Sequence, residues 1–211
     1  MKKTVALILM LAMLLSLTGC GMSRMLTVEE IDDIGVGSIA DGVYENAVFG
    51  IGCKLEEPWQ VSTWEEILQT NSWNEEEDLT EQAKKSLAKP GYFYEMLAQT
   101  PDQTNTLNVC VENVSIMEDP DISEYDYARS AIVMAREAFE VIGAKSLAIE
   151  QIAQNVAGKE CHGYLATVKN GANTLYQKVL YVRHGIYEAV ITISCTGENV
   201  TDEILANIYA V

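Results

Sequence analysis

Residues 147–195 read LAIEQIAQNVAGKECHGYLATVKNGANTLYQKVLYVRHGIYEAVITISC, and this stretch decides the fold. Apolar and β-branched residues recur every second position, the period of a strand with two unlike faces. Three dipeptides that favour positive backbone angles interrupt the run: Ala157-Gly158, Asn170-Gly171 and His184-Gly185. Each is a hairpin turn by composition. The stretch therefore predicts four consecutive antiparallel strands over 147–156, 160–168, 174–183 and 186–195. If His184-Gly185 is a two-residue turn, facing residues sum to 369 and Cys195 faces Thr174.

Working upstream, Ser123-x-x-Asp126 is a helix start, and Gly143 a helix stop. Between them Ile132, Val133, Ala135, Phe139 and Ile142 are expected to form one apolar stripe. Before that helix, 92–99 and 106–114 read as a hairpin around Pro101-Asp102. Leu107, Val109 and Val111 take one face of its second strand; Asn108, Cys110 and Glu112 take the other. Ser62-x-x-Glu65 has capping-box spacing and predicts a short helix to Leu68. The acids Glu75, Glu76, Glu77 and Asp78 suit the start of a further helix to about Leu87, with Lys84, Lys85 and Lys89 near its end. Pro90-Gly91 breaks the chain. Residues 38–45 and 48–55 predict two strands joined at Asn46-Ala47, with Phe49, Ile51, Cys53 and Leu55 on one face and Pro58-Trp59 ending the second. Downstream, Thr201 is expected to cap a last helix that turns Ile204, Leu205 and Ile208 inward. Hairpins dominate, so the expected class is α+β, a mostly antiparallel sheet with helices packed on it.

The first twenty residues, MKKTVALILMLAMLLSLTGC, are of another kind. Lys2 and Lys3 precede an apolar run over 4–16 that is too short to span a bilayer as a helix. Leu17-Thr18-Gly19-Cys20 resembles the lipobox of bacterial lipoproteins, which implies cleavage between Gly19 and Cys20 and fatty acylation, by diacylglycerol and palmitate-type chains, at the Cys20 thiol. Two chains hold stably where one binds reversibly. The expected organisation is a signal peptide at 1–19, a lipidated linker at 20–37 and one globular domain at 38–211. At about 3.5 Å per residue the linker reaches roughly 50 Å from the membrane; Thr27-Val28-Glu29-Glu30 has capping-box spacing within it. The expected location is the outer face of the cytoplasmic membrane, reached through the lipid on Cys20.

The chain has 211 residues and a formal charge of -17. Without Lys2 and Lys3, 12 basic residues of the 14 remain against 31 acidic ones, a net charge of -19. That surface repels phosphate backbones and excludes nucleic acid as an expected partner.

The order of elements resembles that of small extracytoplasmic lipoproteins of Gram-positive gut bacteria with a PsbP-like sandwich fold. The residues that carry the likeness are Tyr44-x-Asn46-x-x-Phe49-Gly50-Ile51, Leu55-x-x-Pro58-Trp59 and Ala157-Gly158, within about residues 40–211. The sequence departs from the pattern at Glu56-Glu57-Pro58-Trp59, where a Pro-x-Gly-Trp corner is the norm. The resemblance implies binding or accessory modules, mostly without known catalysis.

Few residues combine into chemistry. Cys53, Cys110, Cys161 and Cys195 fall in strand patterns and read as buried thiols; Cys161 and Cys195 lie two strands apart, beyond disulfide reach. His162 is next to Cys161, so the two point to opposite faces. His184 is in a turn. No CxxC or HxxxH pattern is present, and no metal or cofactor is expected. Asp119, Asp121, Ser123 and Glu124 have a trace of calcium-loop spacing, but Pro120 intervenes, the central Gly is missing and the twelfth position is Ser130. There is no GxSxG. Trp59, Trp64, Trp73 and ten tyrosines suit either a groove or a core. The expected function is a membrane-anchored, non-catalytic binding or accessory module of the cell envelope, with an unidentified protein or small molecule as its ligand. The alternative is a carboxylate-dependent envelope hydrolase, which two facing acids in a deep pocket would favour.

Overall fold

The computed structural model describes residues 26–28, 31, 34–88, 91–116, 121–144 and 146–211. The signal peptide, Gly19, Cys20, Lys89, Pro90, Asp119 and Pro120 lie outside them. No helix among the described residues is long and apolar enough to cross a membrane.

The closing stretch forms the predicted meander: β7 (Ser146–Val156), β8 (Lys159–Asn170), β9 (Asn173–His184) and β10 (Tyr187–Thr196). With β4 (Gln60–Val61), β5 (Tyr92–Gln99) and β6 (Asn105–Asn113) they make a seven-stranded antiparallel sheet ordered β4-β5-β6-β10-β9-β8-β7. A second sheet holds β1 (Ser38–Ala40), β2 (Val43–Asn46), β3 (Ile51–Lys54) and β11 (Ile208–Ala210), in the order β1-β2-β3-β11. The helices are α1 (Trp64–Asn71), α2 (Leu79–Leu87), α3 (Glu124–Val141) and α4 (Thr201–Leu205). The fold is α+β, with antiparallel sheets built from hairpins and helices packed on them.

Local chemistry shifts several boundaries. Tyr187 faces His184 and Cys195 faces Tyr176, so the last turn is Gly185-Ile186 and facing residues sum to 371, not 369. The slip is two residues, so every side chain keeps its expected face. The β8–β9 turn is likewise Gly171-Ala172, since Asn170 pairs with Asn173. The expected strand over 38–45 is a hairpin, because Asp41 and Gly42 both adopt positive φ, 50° and 75°. The first helix is capped one residue later than expected: Thr63 Oγ1 accepts from Glu66 N, and Glu66 Oε2 accepts from Thr63 N. Asp78 caps α2, which leaves Glu75 to Glu77 ahead of the helix. Thr201 does not cap α4; Asn199 Oδ1 accepts from both its N–H and its hydroxyl. Ile208 belongs to a strand, not to the last helix, although it is buried as expected. Ser123 caps α3 and Gly143 follows it at φ 78°, as read. Val133, however, faces solvent at 57% exposure; the buried stripe is Tyr127, Ala128, Ala131, Ala135 and Phe139.

Two cores result. Alternate residues of the large sheet, among them Phe93, Leu107, Val109, Leu180, Ile191 and Ile193, pack against Tyr44, Ile51 and Ile208 of the small sheet and Phe49 of its β2–β3 turn, with α2 and α4 alongside. The opposite face, with Tyr164, Ala166, Val179 and Tyr181, packs under α3.

One buried acid ties the two sheets together. The β5–β6 register shifts between Tyr94 and Met96, and Glu95 is the bulged residue. It is 0% exposed. Its carboxylate accepts from Gly37 N (2.7 Å), Tyr44 Oη (2.5 Å) and Asn46 Nδ2 (3.0 and 2.9 Å). Asn46 Oδ1 in turn accepts from Val48 N and Phe49 N, which fixes the turn into β3. A Cβ on Gly37 would lie 2.7 Å from the Tyr44 ring and 3.1 Å from Glu95, so only glycine lets the backbone approach. Burial pushes the Glu95 carboxyl above its ordinary range, against the pull of these donors. Glu95→Leu strands three donors in the interior and is expected to cost about 3 kcal/mol in urea unfolding, more than Glu95→Gln. A loss below about 0.5 kcal/mol would contradict the assignment.

Candidate functional site

A cluster of buried ionisable side chains sits on the α3 face of the large sheet, where β6, β10 and β9 run side by side. Register places Glu112 of β6 directly opposite Glu188 of β10, and Glu188 opposite Arg183 of β9. Arg183 donates from Nε (2.8 Å) and Nη2 (2.5 Å) to Glu188 Oε1, and from Nη1 (2.7 Å) to the Ile122 carbonyl just ahead of α3. Tyr127, in the first turn of α3, donates its hydroxyl to Glu112 Oε1. Its ring packs edge-on against Tyr181 at 4.9 Å. Glu188 is 0% exposed; its Oε2 and the nearby Tyr164 hydroxyl make no hydrogen bond.

Burial pushes the Glu112 carboxyl up to about 8, the neighbouring Glu188 adding to the rise. Glu188 is pushed up to about 7 by burial, with Arg183 holding it lower than its neighbour. The arrangement thus keeps a proton on Glu112 near neutral pH while Arg183 pairs with Glu188. These are two facing acids, but Glu188 is sealed under α3 and its bonded oxygen is taken by Arg183. A cleft of about 460 Å³ lies elsewhere, between the end of β7, α4 and β11. There Asp202 accepts from Lys178 Nζ and from Gln154 Nε2 (2.5 Å), and these donors hold its carboxyl below the usual range.

The residues singled out in the sequence do not converge. Cys53, Cys110, Cys161 and Cys195 are all buried and none is in a disulfide. Cys161 is on β8 and Cys195 on β10, with β9 between them. Burial raises the Cys53 thiol to about 12 and those of Cys161 and Cys195 to about 11, so none of the three is a ready nucleophile. His162 stacks edge-on with Tyr125 of α3, on the face opposite Cys161. His184 ends β9 against Phe49. Ser123 and Asp126 are spent on the α3 cap, where Ser123 Oγ donates to Asp126 Oδ2 at 2.7 Å. Trp73 stacks on Phe93 and donates to Ser86 Oγ, and Trp59 packs against the same core. Among the described residues, no group of three His, Cys, Asp or Glu side chains is placed to hold a metal.

The sequence places Glu112 on the second face of its strand, but neither it nor Glu188 stands out as buried there, because alternation with apolar residues reads as a strand face turned to water. The signal that separates them from solvent-facing acids is α3, whose alanines let it lie close over that face.

No family model and no curated protein matches the chain. Among solved structures, the crystal structure of LpqN, involved in cell envelope biogenesis of Mycobacterium tuberculosis, is similar over 74% of this chain and 75% of that chain. The identity is 12% and the TM-score 0.37, a likeness too distant to transfer a function.

The acid pair sets a pH dependence. Both carboxyls have folded pKa values above the unfolded value of 4.5, so their contribution is complete in acid and is lost as pH rises through about 7 to 8. The melting temperature is expected to fall between pH 6 and pH 9, and Glu112→Gln to flatten that fall. A melting temperature that is constant or rising over this window in the unmodified protein would contradict the burial of the pair.

Proposed function

We propose that the chain is a lipid-anchored, non-catalytic binding or accessory module on the outer face of the cytoplasmic membrane. The observation that carries this reading is the leader of residues 1–20, a charged start and a short apolar run ending at Leu17-Thr18-Gly19-Cys20. Two features of the domain support it. Its interior acids are engaged by the fold: Glu95 holds the sheets, and Glu112 and Glu188 pair with Tyr127 and Arg183. The cysteines Cys53, Cys161 and Cys195 are buried with raised thiols. The two-sheet arrangement and the engagement of Tyr44 and Asn46 by Glu95 also support kinship with PsbP-like sandwiches, the group that motif resembles.

The opposed Glu112 and Glu188 favour a second reading, the carboxylate-dependent hydrolase. A substrate would have to displace α3 to reach Glu188, which weighs against it.

Metabolic labelling with a clickable palmitate analogue tests the anchor. The wild-type protein is expected to carry the label and to sediment with membranes, and Cys20→Ala to carry none. Equal labelling of both, or labelling of neither, would overturn the proposal.

A further inference from the structure

The two ends of the large sheet are finished differently. At the β5 end the outer backbone groups of Tyr94 and of Leu97 to Gln99 find a cover. β4 pairs with β5 at Gln60–Gln99 and Val61–Ala98. Ser62 N then donates to Leu97 O (2.8 Å). Asn71, at the end of α1, brackets Tyr94: its Nδ2 donates to Tyr94 O (2.7 Å) and its Oδ1 accepts from Tyr94 N (2.8 Å). At the other end, β7 pairs with β8 along all of Ser146 to Val156 and, among the described residues, has no strand on its outer side.

Natural edges are blunted by Pro, Lys, bulges or short length. β7 reads SLAIEQIAQNV: eleven residues, no Pro, no Lys, an unbroken register and Glu150 as its single charge. Ala157 and Gly158 form a two-residue turn with φ of 52° and 86°, so Val156 and Lys159 flank it as a hydrogen-bonded pair. Alternation then turns the N–H and C=O of Leu147, Ile149, Gln151, Ala153 and Asn155 outward.

That edge runs into the 460 Å³ cleft, which Gln154, Asn155, Leu205, Ile208 and Ala210 line with Asp202. β11 adds a second edge there. Lys54 N donates to Asn207 O and Val211 N to Gly50 O, so the intervening Ile208 and Ala210 turn their backbone groups away from β3, toward the cleft.

We propose that the β7 edge is a β-addition site for an extended peptide segment bearing Lys or Arg at alternate positions, its end seated in the cleft beside Asp202. This rests on the binding-module reading and deepens it. Repeating outward N–H and C=O groups are matched by another polypeptide backbone, which neither a sugar nor a small metabolite reproduces. Leu205, Ile208 and Ala210 give the cleft apolar walls for one small side chain. Asp202 is exposed and stays ionised beside Lys178. A chain whose net charge is -19 once the leader is removed selects for a basic partner and opposes a second copy of itself along the same edge.

The test uses the full lipidated chain in detergent. The probe is an acetylated, amidated peptide of alternating Lys and Val as long as β7, with a Glu–Val peptide as control. The Lys–Val peptide is expected to slow amide exchange at Gln151, Ala153 and Asn155 by at least about tenfold, and the Glu–Val peptide to leave it unchanged. Ala153→Lys, at an exposed position that leaves the fold intact by circular dichroism, is expected to weaken binding at least about tenfold. Equal binding of both peptides, protection confined to other strands, or no binding at millimolar peptide would overturn the proposal. So would concentration-dependent protection of the same amides without peptide, which would assign the edge to a second copy. None of these outcomes bears on acylation of Cys20, so failure here is distinct from failure of the anchor.

Discussion

The carboxylate of Glu95 is buried between two sheets, and the fold depends on how that charge is met. An isolated carboxylate in an apolar core would cost several kcal/mol or take up a proton. Here Gly37, Tyr44 and Asn46 supply the donors, all from the segment that forms the small sheet. The bulge between Tyr94 and Met96 turns Glu95 toward that segment instead of leaving it in the regular alternation. Asn46 then spends its remaining oxygen on Val48 and Phe49, which starts β3 and brings Phe49 into the core. Register, turn and sheet packing are set by one side chain.

The other face of the large sheet follows a similar logic with different parts. α3 lies over it on alanines and two aromatics, and the acids beneath are met by Arg183 and Tyr127. Arg183 also holds the Ile122 carbonyl, so the entry into α3 and the acid pair are one unit. The interior charges are committed to holding elements in place. What the domain offers to its surroundings is its acidic surface, the cleft by β11 and the long edge of β7.

Much of this was legible in the sequence. The hairpins of the closing meander were marked by Gly-containing dipeptides, and a two-residue slip in register cost nothing because strand faces repeat every second residue. The α3 cap and stop were legible from Ser123, Asp126 and Gly143. Asp41-Gly42 was a hairpin signal hidden inside an apparent strand, and the alternation around it masked the turn. Val133 was misplaced because its spacing fits two stripes, and the sheet packs on the one carrying alanine. β11 was not legible, since three residues pair only when β3 is already in place. Glu95 within Tyr92-Phe93-Tyr94-Glu95-Met96-Leu97 was a visible anomaly, an acid in an apolar run. Its partners are about fifty residues away, so local patterns could not name them.

The clamp between the sheets is tested most directly by a double-mutant cycle on Tyr44→Phe and Glu95→Leu, read by urea unfolding. The two substitutions remove opposite ends of one buried hydrogen bond. A coupling energy of about 1 to 3 kcal/mol is expected. Costs that add to within about 0.3 kcal/mol would mean that Tyr44 and Glu95 act independently, and that something else joins the two sheets.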